Sequence, residues 1–409
     1  MIENEITKTK EDTEMTKTKR DLTRRDFLKK AGKVAAGTAL VGLAPGIITA
    51  RKVYAKVPNI NFAYILSDHH APLMVLAKEW ELFQERYKIY IKPVTEHKLY
   101  DFFYDGSKIA KVKLIPTKKG PDLEKLVAQG SVDMGISGTQ AIIMSIDKGV
   151  KTKIISPLQT AGNVFVLKKG LPMNNWNEFV KEIKGSKSQF KIGMPGPHCV
   201  ATIVFRSALD HEGVSYTEDV TNRKADILFI NMKGHGNLIS ALANRITEGI
   251  IGAQPFPSVT INRGLGKLIL NLQDVPPNKR WYGHACCSVE ATEKFMERDR
   301  DLLLKMMELI VLGVNAANGN KAMTARACSS WLGVEEAVEK VAMPTLNYTT
   351  IPSSQWTDSV YTYVKIMDEM NMVTQKLRGK RGKELEPLVF DFQYTETAKD
   401  NLRLKKFIV

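Results

Sequence analysis

Cysteine is scarce in this sequence, with 4 residues in a chain of 409. A chain of this length buries a core that needs neither disulfides nor a structural metal, which excludes a disulfide-stabilised miniprotein. With 28 Gly, 17 Pro, 25% charged and 44% hydrophobic residues, the composition also excludes collagen, coiled coil and global disorder. The bulk of the chain is therefore predicted to be soluble and globular, in two or three folding units.

The start of the chain lacks a stretch long enough for a comfortable membrane span. The uncharged segment 34–50 is rich in Ala and Gly and contains Pro45, and it is shorter than the ~20 apolar residues of a spanning helix. It suits the hydrophobic region of an export signal, and it follows Arg24-Arg25 in the run TRRDFLKK. This arrangement resembles the twin-arginine signal, which sends folded proteins across a membrane. Residues 1–55 are therefore predicted to be a twin-arginine export signal.

This leader implies the twin-arginine translocase as a partner and a location in the periplasm or on the extracellular face of the cell membrane. Small-residue cleavage sites end at Ala50 and Ala55. Two alternatives stay open: an uncleaved anchor, and a basic cytoplasmic tail followed by a buried helix.

Motifs of nucleic-acid binding and of common catalysis are also missing. Lys and Arg (59) exceed Asp and Glu (44) by 15, but the surplus is spread out, without an aromatic-interleaved basic platform or zinc-finger spacing. No nucleic-acid partner is predicted, although a mild attraction for anionic ligands remains. The sequence has no G-x-S-x-G elbow, phosphate-binding loop or H-E-x-x-H motif. No catalytic residue is predicted, and the protein is expected not to be an enzyme.

From Asn59 onward, short β-rich runs alternate with amphipathic helical stretches, which predicts two α/β units with parallel sheets and crossover helices. The first unit (lobe 1) is predicted over 56–162 plus 284–409, including a helical C-terminal tail, and the second (lobe 2) over 163–283. Asn163 and Gly283 are the expected hinge-adjacent positions. The predicted strands are 61–66, 87–93, 132–136, 153–156, 163–168, 190–194, 226–231, 249–253 and 267–271. The predicted helices are 73–86, 121–129, 140–148, 176–183, 198–212, 237–244, 292–315, 321–331, 334–341 and 355–370.

Four phrases in order resemble the nitrate/sulfonate/taurine type of ABC-transporter substrate-binding protein. They are HAPL at 70–73, LVAQGSVDMG at 126–135, KIGMPG at 191–196 and IIGAQP at 250–255. The resemblance covers about residues 59–370. It implies a periplasmic-binding-protein fold with two hinge crossings, in which each lobe is a sheet flanked by helices. It also implies a monomer that captures a small ligand, anionic or heteroaromatic, between its lobes and delivers it to an ABC permease.

The segments directly after the predicted strands are unusually polar or rich in Gly and Pro. In open parallel sheets, ligands bind beyond the carboxyl ends of the strands. Two of these segments, 137–139 and 196–198, precede predicted helices, whose free N–H groups favour an anion, although such residues are often plain caps. The predicted ligand-binding residues are Ser67, Asp68, His69, His70, Ser137, Gly138, Thr139, Gln159, Thr160, Pro197, His198, Cys199, Gln254, His284, Cys286 and Cys287.

Histidine and cysteine are grouped at three of these places. Imidazole and thiolate together suit a transition metal, but the spacing matches no known metal signature, so no metal and no cofactor is predicted. Adjacent Cα atoms lie ~3.8 Å apart, below the ~4.4 to 6.8 Å of unstrained bridges, so Cys286 and Cys287 are expected to be thiols. A bridge between them would indicate a redox role. Cys328 is expected to be buried in a helix.

Two further functional classes stay open. The chain also resembles the pyrimidine-precursor synthases of thiamine biosynthesis, which share the implied fold. Only Cys286-Cys287 stands in place of that family's longer cysteine run, and no cofactor-binding lysine can be placed. A ligand sensor domain would have the same fold, but it would need a transmembrane span and a signalling module.

Overall fold

The computed structural model describes residues 57–409. The predicted export signal and its cleavage sites lie outside the described residues. The strands of the described chain form an eight-stranded sheet, called here the first sheet, and a six-stranded second sheet. The strands are β1 Asn59–Ile65, β2 Ile89–Thr95, β3 Leu99–Tyr104, β4 Ser107–Thr117, β5 Met134–Gly138, β6 Thr152–Ala161, β7 Asn163–Lys168, β8 Phe190–Met194, β9 Tyr216–Thr217, β10 Ile227–Asn231, β11 Gly249–Ala253, β12 Gly266–Asn271, β13 Ala285–Thr292 and β14 Leu346–Tyr348.

Helices flank both sheets and dominate the C-terminal part of the chain. They are α1 Ala71–Lys78, α2 Trp80–Tyr87, α3 Gly120–Ala128, α4 Thr139–Asp147, α5 Trp176–Gly185, α6 Val200–Glu212, α7 Asn237–Ala243, α8 Phe256–Asn262, α9 Glu293–Arg298, α10 Arg300–Gly319, α11 Lys321–Leu332, α12 Glu336–Ala342, α13 Ser354–Glu369, α14 Glu386–Val389 and α15 Gln393–Leu404. The single helix predicted over 73–86 is two helices, α1 and α2, and the helix predicted from 198 begins at Val200.

The first sheet has the strand order β14-β6-β13-β5-β1-β4-β3-β2. Its centre is parallel, because β1 runs parallel to both β4 and β5. The strand β13 is inserted antiparallel between β5 and β6, so the prediction of a wholly parallel sheet was wrong here. No strand was predicted at β13. Its partner strands β5 and β6 precede it by more than a hundred residues, and no local turn indicates the pairing.

The antiparallel strands β2, β3 and β4 form the edge of the first sheet, and neither β3 nor β4 was predicted. Asp105 (φ 48°) and Gly106 (φ 78°) form the two-residue connection between β3 and β4. An Asp-Gly pair with both residues at positive φ is a strong hairpin signal, because its twist matches that of the flanking strands. The hairpin was therefore readable from the sequence.

The second sheet has the order β12-β7-β11-β8-β10-β9. The strands β11, β8 and β10 run parallel to one another, whereas β7 pairs antiparallel with both β11 and β12. The chain passes from the first sheet to the second between β6 and β7, through Ala161 (φ 65°) and Gly162 (φ 73°). Two successive left-handed residues turn the chain sharply out of one sheet and into the other.

The helix α10 is the one helix of residues 57–409 that is long and apolar enough, by length and composition, to cross a membrane. It is 20 residues long, and 67% of its most apolar window is buried inside the protein. It packs against α1 and α15. These contacts make α10 a core helix of the folded chain.

Two buried glutamates face each other between α3 and β13. Burial raises the pKa of Glu124 to about 6. Burial and the charge of Glu124 raise the pKa of Glu290 well above its ordinary value. The two carboxyl groups therefore share a proton near neutral pH, since two ionised carboxylates in contact would repel each other.

This shared proton predicts a pH-dependent stability. A carboxyl group whose pKa is raised by folding stabilises the protein below its unfolded pKa, and the stabilisation is lost as the pH rises through the folded pKa. Replacing Glu124 by glutamine removes that titration. Between about pH 5 and pH 8, E124Q is expected to gain about 1 kcal/mol of unfolding free energy relative to the wild type.

Urea denaturation at the two pH values measures this difference, in which the titrations of groups remote from Glu124 and Glu290 cancel. Glu297, exposed on α9, offers the matched control, and E297Q should keep the wild-type pH dependence. An E124Q curve that runs parallel to the wild-type curve would contradict the shared proton.

Candidate functional site

A cavity of about 40 Å³ lies between the two sheets. That volume has room for about three water-sized groups. Segments of both sheets line it. The lining residues are Ile65, Ser67, His69, His70, Gly120, Gly138, Gln140, Asn163, Cys199, Val200, Ala201, His235, Ala253, Cys286 and Cys287.

The first sheet brings its lining residues together at the carboxyl ends of its central strands. His69 and His70 follow β1, and Gly138 ends β5. The strand β13 runs antiparallel to β5, so its first residues lie beside the last residues of β5, and Cys287 pairs with Gly138. Thus Cys286 and Cys287 reach the same edge of the sheet from more than two hundred residues away.

The second sheet contributes in the same way. Cys199 follows β8, His235 follows β10, and Ala253 ends β11. These three strands run parallel, so their carboxyl ends meet at one edge. This is the edge at which ligands bind in open α/β sheets.

The segment that connects the two sheets holds the imidazole ring of His69 in place. Its Nε2 lies 3.0 Å from the carbonyl oxygen of Gly162. Because a carbonyl only accepts, Nε2 carries the proton, and in the neutral ring Nδ1 has a free lone pair. Nδ1 lies 3.4 Å from Sγ of Cys286 and 3.7 Å from Sγ of Cys287. Each of the three side chains offers one atom that could ligate a metal ion, and these atoms all lie within 4.8 Å of one another.

The electrostatics of this cluster favour a thiolate at Cys286. Burial opposes ionisation, but a hydrogen bond from Cys287 and the neighbouring His69 outweigh it and hold the pKa of Cys286 well below its ordinary value. Burial lowers the pKa of His69, yet the charge of Cys286 more than offsets this and raises it. Burial and Cys286 raise the pKa of Cys287 well above its ordinary value. Asn163 adds a donor, its Nδ2 lying 3.1 Å from Sγ of Cys286.

Two further imidazoles are neutral and present N–H groups. Nδ1 of His70 accepts from the backbone N–H of Ile65 at 2.9 Å, and Nδ1 of His235 accepts from that of Ala253 at 3.3 Å. The proton of each ring is therefore on Nε2. Burial, together with the charge of His69, lowers the pKa of both His70 and His235 to about 3. Nε2 of His70 has no partner within the described residues.

Seven of the predicted site residues line the cavity: Ser67, His69, His70, Gly138, Cys199, Cys286 and Cys287. The other nine lie elsewhere. They are Asp68, Ser137, Thr139, Gln159, Thr160, Pro197, His198, Gln254 and His284.

Several of these nine hold neighbouring segments in place. The carboxyl of Asp68 lies against Glu339. Oγ1 of Thr139 bonds Oγ of Ser288 at 2.7 Å. Ser137 lies beside Glu124, and Nε2 of Gln159 donates to the carbonyls of Thr160 and Ala161. Oγ1 of Thr160 lies near the carbonyl of Asn347. Oε1 of Gln254 accepts from the backbone N–H of Ser258.

The remaining three are Pro197, His198 and His284. Pro197 and His198 line a separate cavity of about 620 Å³, together with Arg206 and Glu218. His284 is fully buried, and its Nδ1 lies 2.6 Å from the carbonyl oxygen of Trp281. All four cysteines fall within the described residues and are free thiols, and Cys328 is buried in α11, as predicted.

Sequence reasoning missed His235, Gln140 and Asn163 as lining residues. His235 stands in the glycine-flanked segment 234–236 shortly after β10, so the strand-end rule that selected the other residues applied to it as well. Asn163 was considered only as a hinge-adjacent position. Nothing local marks Gln140, which lies in the first turn of α4.

Hydrogen bonds join the segments that carry the two sheets around this cavity. The backbone N–H of Asp68 donates to the carbonyl of Gln254 at 3.1 Å. Nε2 of Gln140 donates to the carbonyl of His198 at 2.8 Å. A ligand in the cavity would therefore contact residues carried by both sheets.

The sequence is similar to a known family over most of its length. The sequence model of the NMT1-like family matches residues 54–333. An uncharacterized protein of Methanocaldococcus jannaschii is 37% identical over 107 residues, which make up 26% of this chain and 74% of that protein.

Two solved structures are similar in fold. The ligand-binding component of an ABC-type import system from Staphylococcus aureus, solved with zinc bound, has a TM-score of 0.64 at 14% identity, covering 83% of this chain and 99% of its own. The periplasmic nitrate-binding protein of Synechocystis has a TM-score of 0.66 at 12% identity, covering 85% of this chain and 90% of its own. The predicted periplasmic-binding-protein fold is thereby confirmed. By its sequence over residues 54–333, the chain belongs to the NMT1-like family.

Proposed function

We propose that this protein is an extracytoplasmic solute-binding protein of an ABC import system. Residues 56–162 plus 284–409 form one lobe, residues 163–283 form the other, and a small solute is held between them. The observation that carries the proposal is the cavity that both sheets line with imidazole, thiol and amide side chains. The proposal is further supported by the fold, which is shared with a nitrate-binding protein and with the ligand-binding component of an ABC-type import system.

The proposed mechanism is hinge closure without turnover. A solute that contacts both lobes binds the closed form better than the open form, and this differential affinity shifts the population. The chain crosses between the sheets after Ala161 and again before β13, so two crossings act as the hinge. The bonds Asp68 to Gln254 and Gln140 to His198 would form only on closure. The closed protein then delivers its solute to the permease, after export of the folded chain by the twin-arginine translocase.

One observation favours a second candidate function, that of a thiol-dependent enzyme. Nδ1 of His69 lies 3.4 Å from Sγ of Cys286, as in a nucleophile and base pair. The structures that share this fold are a nitrate-binding protein and the ligand-binding component of an import system, so binding is the preferred function.

Small-angle X-ray scattering with thermal unfolding tests the closure. The purified chain without its leader is dialysed against a chelator to remove bound metal. It is then screened with nitrate, taurine, an alkanesulfonate, a pyrimidine and metal ions. A true solute at 100 times its dissociation constant is expected to stabilise the fold by about 2.7 kcal/mol and to decrease the radius of gyration.

A matched pair of variants sharpens the test. Q140A removes a contact between the lobes, so it should weaken solute binding and reduce compaction. Q189A removes a half-buried amide that bonds only within the second lobe, so it leaves the contacts between the lobes intact and should bind solute like the wild type. A solute that binds tightly with no change in the radius of gyration would contradict closure.

A further inference from the structure

We infer that the cavity binds a thiophilic metal ion, Zn²⁺ or Cu⁺, through Nδ1 of His69 and the sulfurs of Cys286 and Cys287. The geometry of these three side chains supports the ion site. The ion's role as transported solute rests on the proposed function.

The spacing of the donor atoms fits an ion of this kind. Zinc lies about 2.3 Å from a thiolate sulfur and about 2.0 to 2.1 Å from an imidazole nitrogen, so in a tetrahedral site a nitrogen and a sulfur ligand are about 3.6 Å apart. The distances from Nδ1 of His69 to the two sulfurs are 3.4 and 3.7 Å. Ligation would therefore need little movement of the side chains.

The groups behind the three side chains also suit a metal site. A ligating histidine usually donates its other N–H to a carbonyl or a carboxylate, which fixes the ring and its tautomer. Nε2 of His69 makes this bond to the carbonyl of Gly162, leaving Nδ1 toward the sulfurs. Nδ2 of Asn163 lies 3.1 Å from Sγ of Cys286 and supports a negative sulfur. His69, Cys286 and Cys287 are 3%, 1% and 4% exposed, so the site excludes bulk water.

The side chains that line the cavity determine which class of ligand it can bind. Among the described residues that line the cavity there is no Asp or Glu, whereas Ca²⁺ and Mg²⁺ require oxygen ligands. The described lining also holds no Lys or Arg to bind nitrate or a sulfonate. Soft thiolate ligands select Zn²⁺ and Cu⁺. The anionic solute expected from the sequence is therefore less suited to this cavity than a cation.

The cavity leaves space for a fourth ligand. Three protein ligands with one open position are typical of zinc sites that exchange a small molecule. The rest of the lining offers the N–H of His70 and the thiol of Cys199, which comes from the second sheet. A small anion or Cys199 can complete the coordination, and the latter would tie the ion to both lobes.

Metal titration of the reduced chain, under anaerobic conditions, tests the site directly. Co²⁺ is expected to give thiolate-to-cobalt charge-transfer absorption that stoichiometric Zn²⁺ abolishes. Competition with a chromogenic chelator then measures the affinity for Zn²⁺ and for Cu⁺. C286S, C287S and H69A should each weaken binding at least ~100-fold, beyond the ~10 to 100-fold typical of lost second-shell contacts.

Cys328 provides the matched control, because it is an equally buried thiol in α11, outside the cavity. C328S should retain the wild-type affinity and the charge-transfer bands. Circular dichroism establishes that every variant is folded, and the serine changes alter only the sulfur. C199S distinguishes the two fourth ligands: weaker binding shows that Cys199 ligates the ion, and unchanged affinity shows that a small anion does.

The outcomes separate this inference from the proposed function. If Zn²⁺ and Cu⁺ bind C286S and C287S as tightly as the wild type, the ion site is wrong, and compaction by a non-metal solute would still support solute binding. If the metal binds through these residues and the radius of gyration stays constant, the site stands and the transport role fails.

Discussion

Replacing Gly162 by alanine is expected to lower the free energy of unfolding by about 3 kcal/mol. Two effects add. Gly162 has φ +73°, a left-handed conformation that costs a residue with a Cβ atom about 1 to 2 kcal/mol. An added Cβ would also lie 2.8 Å from Cδ2 of Leu346 and 2.9 Å from Nε2 of His69. Overpacking of this kind costs about 1 to 3 kcal/mol.

The same change should affect the site. The carbonyl of Gly162 accepts the bond that orients His69, so a displaced imidazole no longer presents Nδ1 to the sulfurs of Cys286 and Cys287. G162A is therefore expected to weaken Zn²⁺ binding by about 10 to 100-fold, the range for lost second-shell contacts. Urea denaturation and chelator competition measure the two effects separately.

Gly149 offers the matched control. It has φ +85°, but no atom lies within 4 Å of the place its Cβ would take. G149A should therefore lose only the about 1 kcal/mol of backbone strain and keep the wild-type affinity. If G162A and G149A lose the same stability, crowding at Gly162 plays no part, and the argument for its role in positioning His69 fails.

Replacing Asp147 by alanine is expected to lower the free energy of unfolding by about 4 kcal/mol. Asp147 ends α4, and its carboxylate is 1% exposed. It accepts from the backbone N–H groups of Thr374 at 2.9 Å, Gln375 at 3.1 Å and Leu377 at 2.9 Å. These bonds hold the segment after α13 against the first sheet's helices. Without them the N–H group of the buried Leu377 would be unpaired away from water, and the exposed Thr374 and Gln375 would lose the acceptor that holds their backbone.

Two variants check the cause of this loss. D147N keeps one oxygen acceptor in the same place, so it should lose about half as much stability as D147A. Asp400, which is exposed on α15 and pairs with Arg403, is the matched surface control, and D400A should change stability by less than about 0.5 kcal/mol. Unfolding of D147A within about 1 kcal/mol of the wild type would show that this carboxylate is not needed to anchor the C-terminal segment.

The helices and strands of the second sheet were largely predictable, because their signals are local. The predicted strands 190–194 and 249–253 coincide with β8 and β11, since short apolar runs between Gly, Pro and polar turns are typical of buried strands. The strand-end rule likewise selected five of the residues that line the cavity, Ser67, His69, His70, Gly138 and Cys199, whereas Cys286 and Cys287 were selected for their residue type. His235 shows that the rule was applied incompletely.

The pairing of distant segments was less accessible. The antiparallel insertion of β13 between β5 and β6 brings Cys287 beside Gly138, and this pairing depends on the path of the chain through the whole second sheet. Sequence spacing gave no metal signature, because the ligand set is assembled from residues separated by more than two hundred positions. The tautomer of His69 likewise depends on a carbonyl 93 residues away.

The sequence by itself determined the composition of the core, the alternation of strands and helices, the family and the edge of each sheet at which a ligand would bind. These follow from local patterns of apolar residues, turn residues and short motifs. Tertiary structure alone decided that His69, Cys286 and Cys287 meet, that Asp68 and His198 turn away from the cavity, and that the described lining contains no Asp, Glu, Lys or Arg. The physical reason is that coordination and repulsion act over a few ångströms between atoms, and only the folded chain sets those distances.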